Sequence, residues 1–378
     1  MFFREIIGQE KVKRRVCRLI DNDHIAHALL ISGKEGVGKL SLALSIAQYL
    51  HCTHKQNGDS CGSCPSCRKY KTLEHPDIHF VFPLGKAGDM CCDYEKKFRT
   101  ALIGNPYLTQ SQWMSSLGNP NASGVIYTKE ADEIARVLNM KSYEADYKIM
   151  LIWLPEKMHE RASNKLLKLI EEPFPHTLLL LVSDTPEEIL PTILSRLQSI
   201  EMPPISVEDI AQYLTRTHGL SEVSARKVAY LSEGSISKAT EFISVEEHTS
   251  EYKENFLSLM RNAYLFGMHG GVKDLKSLKE WSEKIASIGK EQQIGFLQYI
   301  TQSIRESFIL HFKEMQNEYE DRGESAFLKN LSPFITEKNI EKMLKLLDLA
   351  EQQIVQNINA KILFFDVSIQ MSLLIRNR

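Results

Sequence analysis

The stretch Gly33-Lys34-Glu35-Gly36-Val37-Gly38-Lys39-Leu40-Ser41 has the glycines and the lysine of a phosphate-binding loop. An apolar run over 28–31 precedes them and a helix-forming run over 40–50 follows. Strand, glycine-rich turn and helix in that order make a phosphate cradle. Backbone N–H groups wrap phosphate oxygens, and the helix N-terminus and a lysine add positive charge. The pattern asks for G-x-x-x-x-G-K and then Ser or Thr, whose hydroxyl binds Mg²⁺. Gly33, Gly38 and Lys39 fit, but Leu40 stands where the hydroxyl belongs. The alternative is an ordinary glycine-rich turn.

A second constellation follows the cradle: Cys52, Cys61, Cys64 and Cys67, spaced C-x8-C-x2-C-x2-C among turn-forming Gly58, Asp59, Gly62, Pro65 and Ser66. Four thiolates can close a tetrahedron around Zn²⁺, and such a site leaves no position for a substrate, so the ion would be structural. His51 and His54 are nearby alternative ligands, and free thiols or a redox pair are the competing readings. Cys17, Cys91 and Cys92 bring the total to seven, an odd number that does not suit a disulfide framework.

These groups need a scaffold, and the flanking patterns supply one. Residues 10–21 read as an amphipathic helix with Val12, Val16, Leu19 and Ile20 on one side and Lys11, Lys13, Arg14, Arg15 and Arg18 on the rest. That basic cluster suits DNA or a nucleotide, or simply a solvated face. Residues 75–83 give a short proline-bounded strand, and 84–124 an irregular insertion with helices near 94–102 and 111–117. Continuous apolar runs at 147–154 and 177–183 are buried strands, with helices predicted over 127–141 and 161–172. The fold class is therefore α/β, a parallel sheet with helices on both faces. After Met202-Pro203-Pro204 only helical patterns continue: three short helices near 206–218, 221–231 and 235–242, each with a Ser N-cap candidate, then segments near 251–264, 274–288, 292–317, 336–355 and 360–375.

With 378 residues the chain is expected to form several domains: 1–203 with the zinc module at about 52–67 and the insertion at about 84–124, then 204–245, then 246–378. Apolar content of 43% with 25% charged residues describes a globular protein, and a net charge of -2 argues against broad coating of nucleic acid. Neither a signal peptide nor a membrane span is legible, so a cytoplasmic location is expected.

The missing chemistry is as informative as the present. A P-loop hydrolase places carboxylates at the end of a neighbouring strand to hold the Mg²⁺ shell and orient water. The strand at 148–154 ends in Trp153-Leu154-Pro155-Glu156, two apolar residues where acids belong. Hydroxyl and acids are both absent, so Mg²⁺-assisted hydrolysis is not expected here. Gly33, Gly36, Gly38 and Lys39 still leave ATP or ADP able to bind without turnover, and an empty site is equally allowed.

Several stretches resemble the AAA+ clamp-loader family of bacterial DNA polymerase III, in particular its delta-prime type. They are Ile7-Gly8-Gln9-Glu10, His27-Ala28-Leu29-Leu30-Ile31, the cysteine array, His75-Pro76-Asp77, the run over 164–173, and Pro191-Thr192-Ile193-Leu194-Ser195-Arg196. The resemblance covers about the first 245 residues in order. It implies a RecA-like AAA+ module carrying zinc, a three-helix lid and an all-α collar that assembles a hetero-pentameric ring. Ser195-Arg196-Leu197 resembles the family's Ser-Arg-Cys motif, so Arg196 would be an arginine finger reaching a neighbouring subunit's ATP. Ser183 stands near the sensor position, and Ser237 where active subunits carry a lid arginine. The implied partners are gamma/tau-like ATPases and delta, the sliding clamp, and primed DNA through the complex. The implied role is a non-hydrolysing stator. The alternatives are an active gamma/tau-like motor and a stand-alone zinc protein with a vestigial nucleotide fold.

Overall fold

The computed structural model describes residues 1–119, 122–247, 249–309, 325–356 and 358–376. They fall into two compact units, Met1–Thr240 and Glu241–Arg378.

The first unit is built on five parallel strands: β1 (Ala28–Ser32), β2 (Ile78–Val81), β3 (Lys148–Trp153), β4 (Thr177–Ser183) and β5 (Gln198–Glu201), in the order β2-β3-β4-β1-β5. Every residue of β1, β3 and β4 is buried, as their apolar runs require in a sheet covered on both faces. The register sets Ser32 of β1 beside Ser183 of β4, and Trp153 of β3 beside Val182. The C-terminal ends of β1, β3 and β4 thus meet at one edge, where open α/β sheets bind ligands. The helix Lys39–His51 leaves β1 there and is buried along nearly its whole length.

β5 is not foreseen by the sequence patterns. Its sequence, Gln-Ser-Ile-Glu, is short and buries only Ile200, yet it completes the sheet by pairing with β1. The short helices Pro65–Tyr70 and Ser325–Leu331 also emerge only in the structure. Ser206 and Ser221 cap the helices Val207–His218 and Glu222–Leu231 by accepting from Asp209 and Ser224 N–H. Ser235 likewise accepts from Lys238 N–H in the helix Ile236–Glu247.

The His75-Pro76-Asp77 turn ties β2 to the approach of β3. Asp77 is buried and accepts backbone N–H bonds from Tyr143, Glu144 and Ala145 at 2.5, 2.9 and 2.9 Å. Burial opposes its charge, but the three donors outweigh it and hold the carboxyl below its ordinary range. A carboxylate depressed in the folded state stabilises fully above its unfolded pKa, near 4, and loses that contribution as pH falls through the folded value. Asp77→Asn is expected to cost about 1–3 kcal/mol at neutral pH. Urea titrations at descending pH should show the penalty shrinking below about pH 4.

The second unit is all helical among the described residues. Its long helices Thr249–His269, Val272–Ser287, Lys290–Ile309, Ile340–Val355 and Ala360–Arg376 enclose a core around Phe256, Trp281, Phe296 and Phe364. Trp281 satisfies its indole N–H on Asn255 O at 2.9 Å. The helix expected over 292–317 is seen to Ile309, and 310–317 lies outside the described residues. No helix among the described residues is long and apolar enough to cross a membrane.

Candidate functional site: a filled phosphate loop and a four-thiol knot

Gly33, Gly36, Gly38 and Lys39 come together in the turn between β1 and its helix. Gly36 and Gly38 adopt positive φ of 80° and 94°. A Cβ on Gly36 would strike Ser235 Oγ at 2.1 Å, and one on Gly38 would lie 3.0 Å from the Tyr107 ring. Glycine is needed at both places for space as well as for backbone angle.

The cradle is occupied by the protein itself. Lys39, almost fully buried, donates to the carbonyls of Gly33 and Lys34 at 2.7 and 2.5 Å and pairs with Asp184 at 2.6 Å. Its ammonium thus has three protein oxygens where a nucleotide would offer phosphate. Asp184 follows β4 directly. Sequence reasoning missed it, although an acid at the end of the strand beside β1 was a findable signal.

Residues 106–108 of the insertion close the site. Ser41 Oγ donates to Pro106 O at 3.1 Å, Ser237 Oγ to Tyr107 O at 2.7 Å, and Ile7 N–H to the Tyr107 hydroxyl at 3.1 Å. Burial pushes the Tyr107 phenol up to about 12, so it stays neutral. Loop, P-loop helix and the start of the helix Ile236–Glu247 are fastened together through Pro106 and Tyr107. The cavity left between Gly36, Lys39, Leu40, Tyr107, Trp153 and Asp184 is about 20 Å³, room for about one water molecule.

Trp153 and Leu154 are both buried. Trp153 lies 5.6 Å from Phe98, which stacks on Phe82 at 4.1 Å and meets Trp113 edge-on at 5.1 Å. Phe98 and Trp113 come from insertion helices Cys91–Gly104 and Gln110–Ser116. Trp113 also donates to Pro83 O at 2.9 Å. The residue standing in place of an acid is therefore the platform on which the insertion packs. Glu156 accepts from Asp184 and Thr185 N–H at 2.8 and 3.2 Å. Ser183 is fully buried, and its hydroxyl has no hydrogen-bond partner among the described residues.

The four sulfurs of Cys52, Cys61, Cys64 and Cys67 all lie within 4.8 Å of one another. Tetrahedral Zn–S bonds of about 2.3 Å would put sulfurs about 3.8 Å apart, and Cys61 and Cys67 Sγ stand at 3.9 Å. No cysteine of the chain is in a disulfide. Backbone N–H groups already point at the sulfurs: Cys61 to Cys52, Cys64 to Cys61 and Cys67 to Cys64, at 3.3–3.5 Å. The donors of Ser63 and Cys64 bring the Cys61 thiol down to about 5, while burial pushes Cys67 up. The arrangement can hold one metal ion, and a cation would hold all four sulfurs as thiolates. His51 is committed elsewhere, through Nε2 to Tyr147 O at 2.8 Å and Nδ1 to the Tyr70 hydroxyl at 2.9 Å. Among the leftover cysteines, Cys91 is buried against Phe82 O at 3.3 Å and Cys92 is exposed.

Arg196 sits apart, between the helix Pro191–Leu194 and β5. Its side chain is 42% exposed, held by Glu171 at 2.9 Å and by Thr192 O at 2.9 Å.

A family model described as DNA polymerase III, delta subunit matches residues 8–206, more than half of the chain. The DNA polymerase III subunit delta' of Bacillus subtilis is 26% identical over 206 residues, covering 54% of this chain and 51% of the relative. The chain thus spans about half the length of that relative. The DNA polymerase III subunit gamma of Buchnera aphidicola is 25% identical over 339 residues, covering 84% and 82%. A gamma subunit-related protein of Thermotoga maritima superposes over 95% of this chain and 99% of its own, with 15% identity and a TM-score of 0.39.

Proposed function

Since the chain belongs to the DNA polymerase III, delta subunit family, we propose that it acts as a delta-prime-type clamp-loader subunit with no ATP turnover of its own. In this reading it joins gamma/tau-like ATPases and delta in a hetero-pentameric ring that loads a sliding clamp on primed DNA. It lends Arg196 to the ATP of a neighbour, and residues 246–378 serve as the collar. The cysteine knot carries one structural Zn²⁺.

The observation that carries the reading is the state of the chain's own site. Leu40, Trp153 and Leu154 stand at the metal-ligand positions, Asp184 holds the lysine, Tyr107 lies over Gly38 and Ser235 over Gly36. Positions 40, 153 and 154 offer no side-chain oxygen ligand for the ion, which weighs against metal-assisted phosphoryl transfer there. The likeness to a gamma subunit over most of the chain favours an ATP-hydrolysing motor instead, and the chemistry of the site weighs against it.

Calorimetry with ADP and ATP tests this directly. The intact chain is expected to bind neither, with or without Mg²⁺. Tyr107→Ala should lose about 3 kcal/mol of stability and gain measurable nucleotide binding through Lys39 and the loop amides. Magnesium-dependent binding or turnover by the unaltered, isolated chain would move the assignment to the motor.

A further inference from the structure

The helix Glu10–Asp21 carries charge that the site just described does not use. Val16 and Ile20 bury one side of it, and Lys11, Arg14, Arg15 and Arg18 are all exposed on the other. The cations recur at one-turn steps and so run about 10 Å along the helix. They line an open groove of about 800 Å³, floored by Asn22, His24 and Gln198 of β5.

Among the described residues no side chain is ion-paired with them. The acids of the same helix are taken, Glu10 by Lys13 at 2.5 Å and Asp21 by the Tyr49 hydroxyl at 2.8 Å. Among the described residues no carboxylate pairs with Lys11, Arg14, Arg15 or Arg18. Other helices of this chain do pair their surface cations along one face, as in Arg99–Glu95, Arg226–Glu222 and Lys345–Glu341. The net charge of the whole chain is -2, so the patch is local and not a by-product of a basic composition.

We infer that this groove is a docking surface for the phosphodiester backbone of duplex DNA, independent of Arg196 and of the phosphate loop. Three of the four cations are arginines, whose planar fork grips phosphate oxygens in pairs. Four cations along about 10 Å can neutralise about three phosphates of a duplex, which carries one charge per about 1.7 Å of axis. The amide and imidazole groups of the floor can hydrogen-bond sugar and phosphate oxygens. An acidic protein surface fits less well. Leu19, half-buried, is the sole apolar residue lining the groove, and protein interfaces are anchored by buried apolar or aromatic groups.

Fluorescence anisotropy on the full chain with a labelled DNA duplex of unrelated sequence tests the inference. Sequence-independent binding is expected at Kd of about 10⁻⁴–10⁻⁶ M, with a slope of log K on log salt near -3. A variant carrying Lys11→Gln, Arg14→Gln, Arg15→Gln and Arg18→Gln should lose tenfold or more in affinity and flatten that slope. Its circular dichroism should be unchanged, since all four side chains are exposed. Inorganic triphosphate and polyglutamate serve as competitors and should displace the duplex weakly. Equal duplex binding by variant and parent overturns the inference, as does failure of the parent to bind duplex at low salt. Triphosphate binding as tightly as duplex would make the groove a small-anion site. Polyglutamate binding more tightly than duplex would make it a protein-docking face.

Discussion

Replacing Arg196 by alanine in the assembled complex is expected to lower ATP turnover at the interface it serves by about 10³-fold or more, the range measured for arginine fingers. The reasoning is electrostatic. A guanidinium placed at the transferring phosphoryl group stabilises charge that develops only in the transition state, in a site from which water is largely excluded. Arg196 is exposed, and its surface contacts with Glu171 and the Thr192 carbonyl aim it without burying it. Removing it should cost little in folding, because exposed ion pairs contribute about 0–1 kcal/mol. Arg196→Lys keeps the charge and loses the fork, so it should restore only part of the rate. The measurement is steady-state hydrolysis by the complex, with assembly checked by gel filtration. A complex that still assembles and turns over at the parental rate with alanine at this position would remove the finger from the proposal.

The second large effect concerns the cysteine knot. Metal analysis is expected to return about one Zn²⁺ per chain, the stoichiometry of a single closed four-sulfur site. Structural zinc in small modules supplies apparent binding energies of about 10–16 kcal/mol near neutral pH. That is as large as the whole stability of a typical domain, about 5–15 kcal/mol. Chelation, or Cys67→Ser, should therefore unravel at least the stretch from Cys52 to Tyr70. The damage should spread, because that stretch is tied into the sheet. His51 and Tyr70 bond to each other and, through Tyr147 O, to the approach to β3. Asp59 accepts from the Phe3 and Arg4 backbone N–H groups at 3.1 and 3.2 Å. Hydrogen exchange should show protection lost around residues 1–6 as well as in the knot. A metal-free chain with unchanged melting and exchange would contradict this.

What the sequence discloses follows from how locally each feature is encoded. The strand–turn–helix of the phosphate loop is legible because its glycines, lysine and apolar runs sit within about twenty residues. The cysteine knot is legible for the same reason. β4 is read to the residue, since seven consecutive buried positions leave no other pattern. β5 escapes because a four-residue edge strand with one buried side chain has no periodicity to detect. The helix Pro65–Tyr70 hides inside the turn-forming residues of the knot, with Cys64 as its cap. The filling of the cradle is beyond local pattern altogether. Tyr107 lies about seventy positions from Gly38, the glycine it covers, and nothing in its immediate sequence points there. Asp184 is the intermediate case, legible once the strand order is known.

The stack that joins Trp153 to Phe98, Phe82 and Trp113 has a bearing on the history open to such a chain. An aspartate at position 153 would place a charge among packed rings and withdraw the floor from under the insertion. A change of that kind costs about 3–5 kcal/mol for the lost aromatic packing alone. A lineage that gives up its magnesium ligands and then builds upon the vacated ground acquires a ratchet: each step toward renewed hydrolysis first weakens the fold. On the reading proposed above, dormancy in this cleft would be sustained by architecture as well as by the residues at positions 40, 153 and 154.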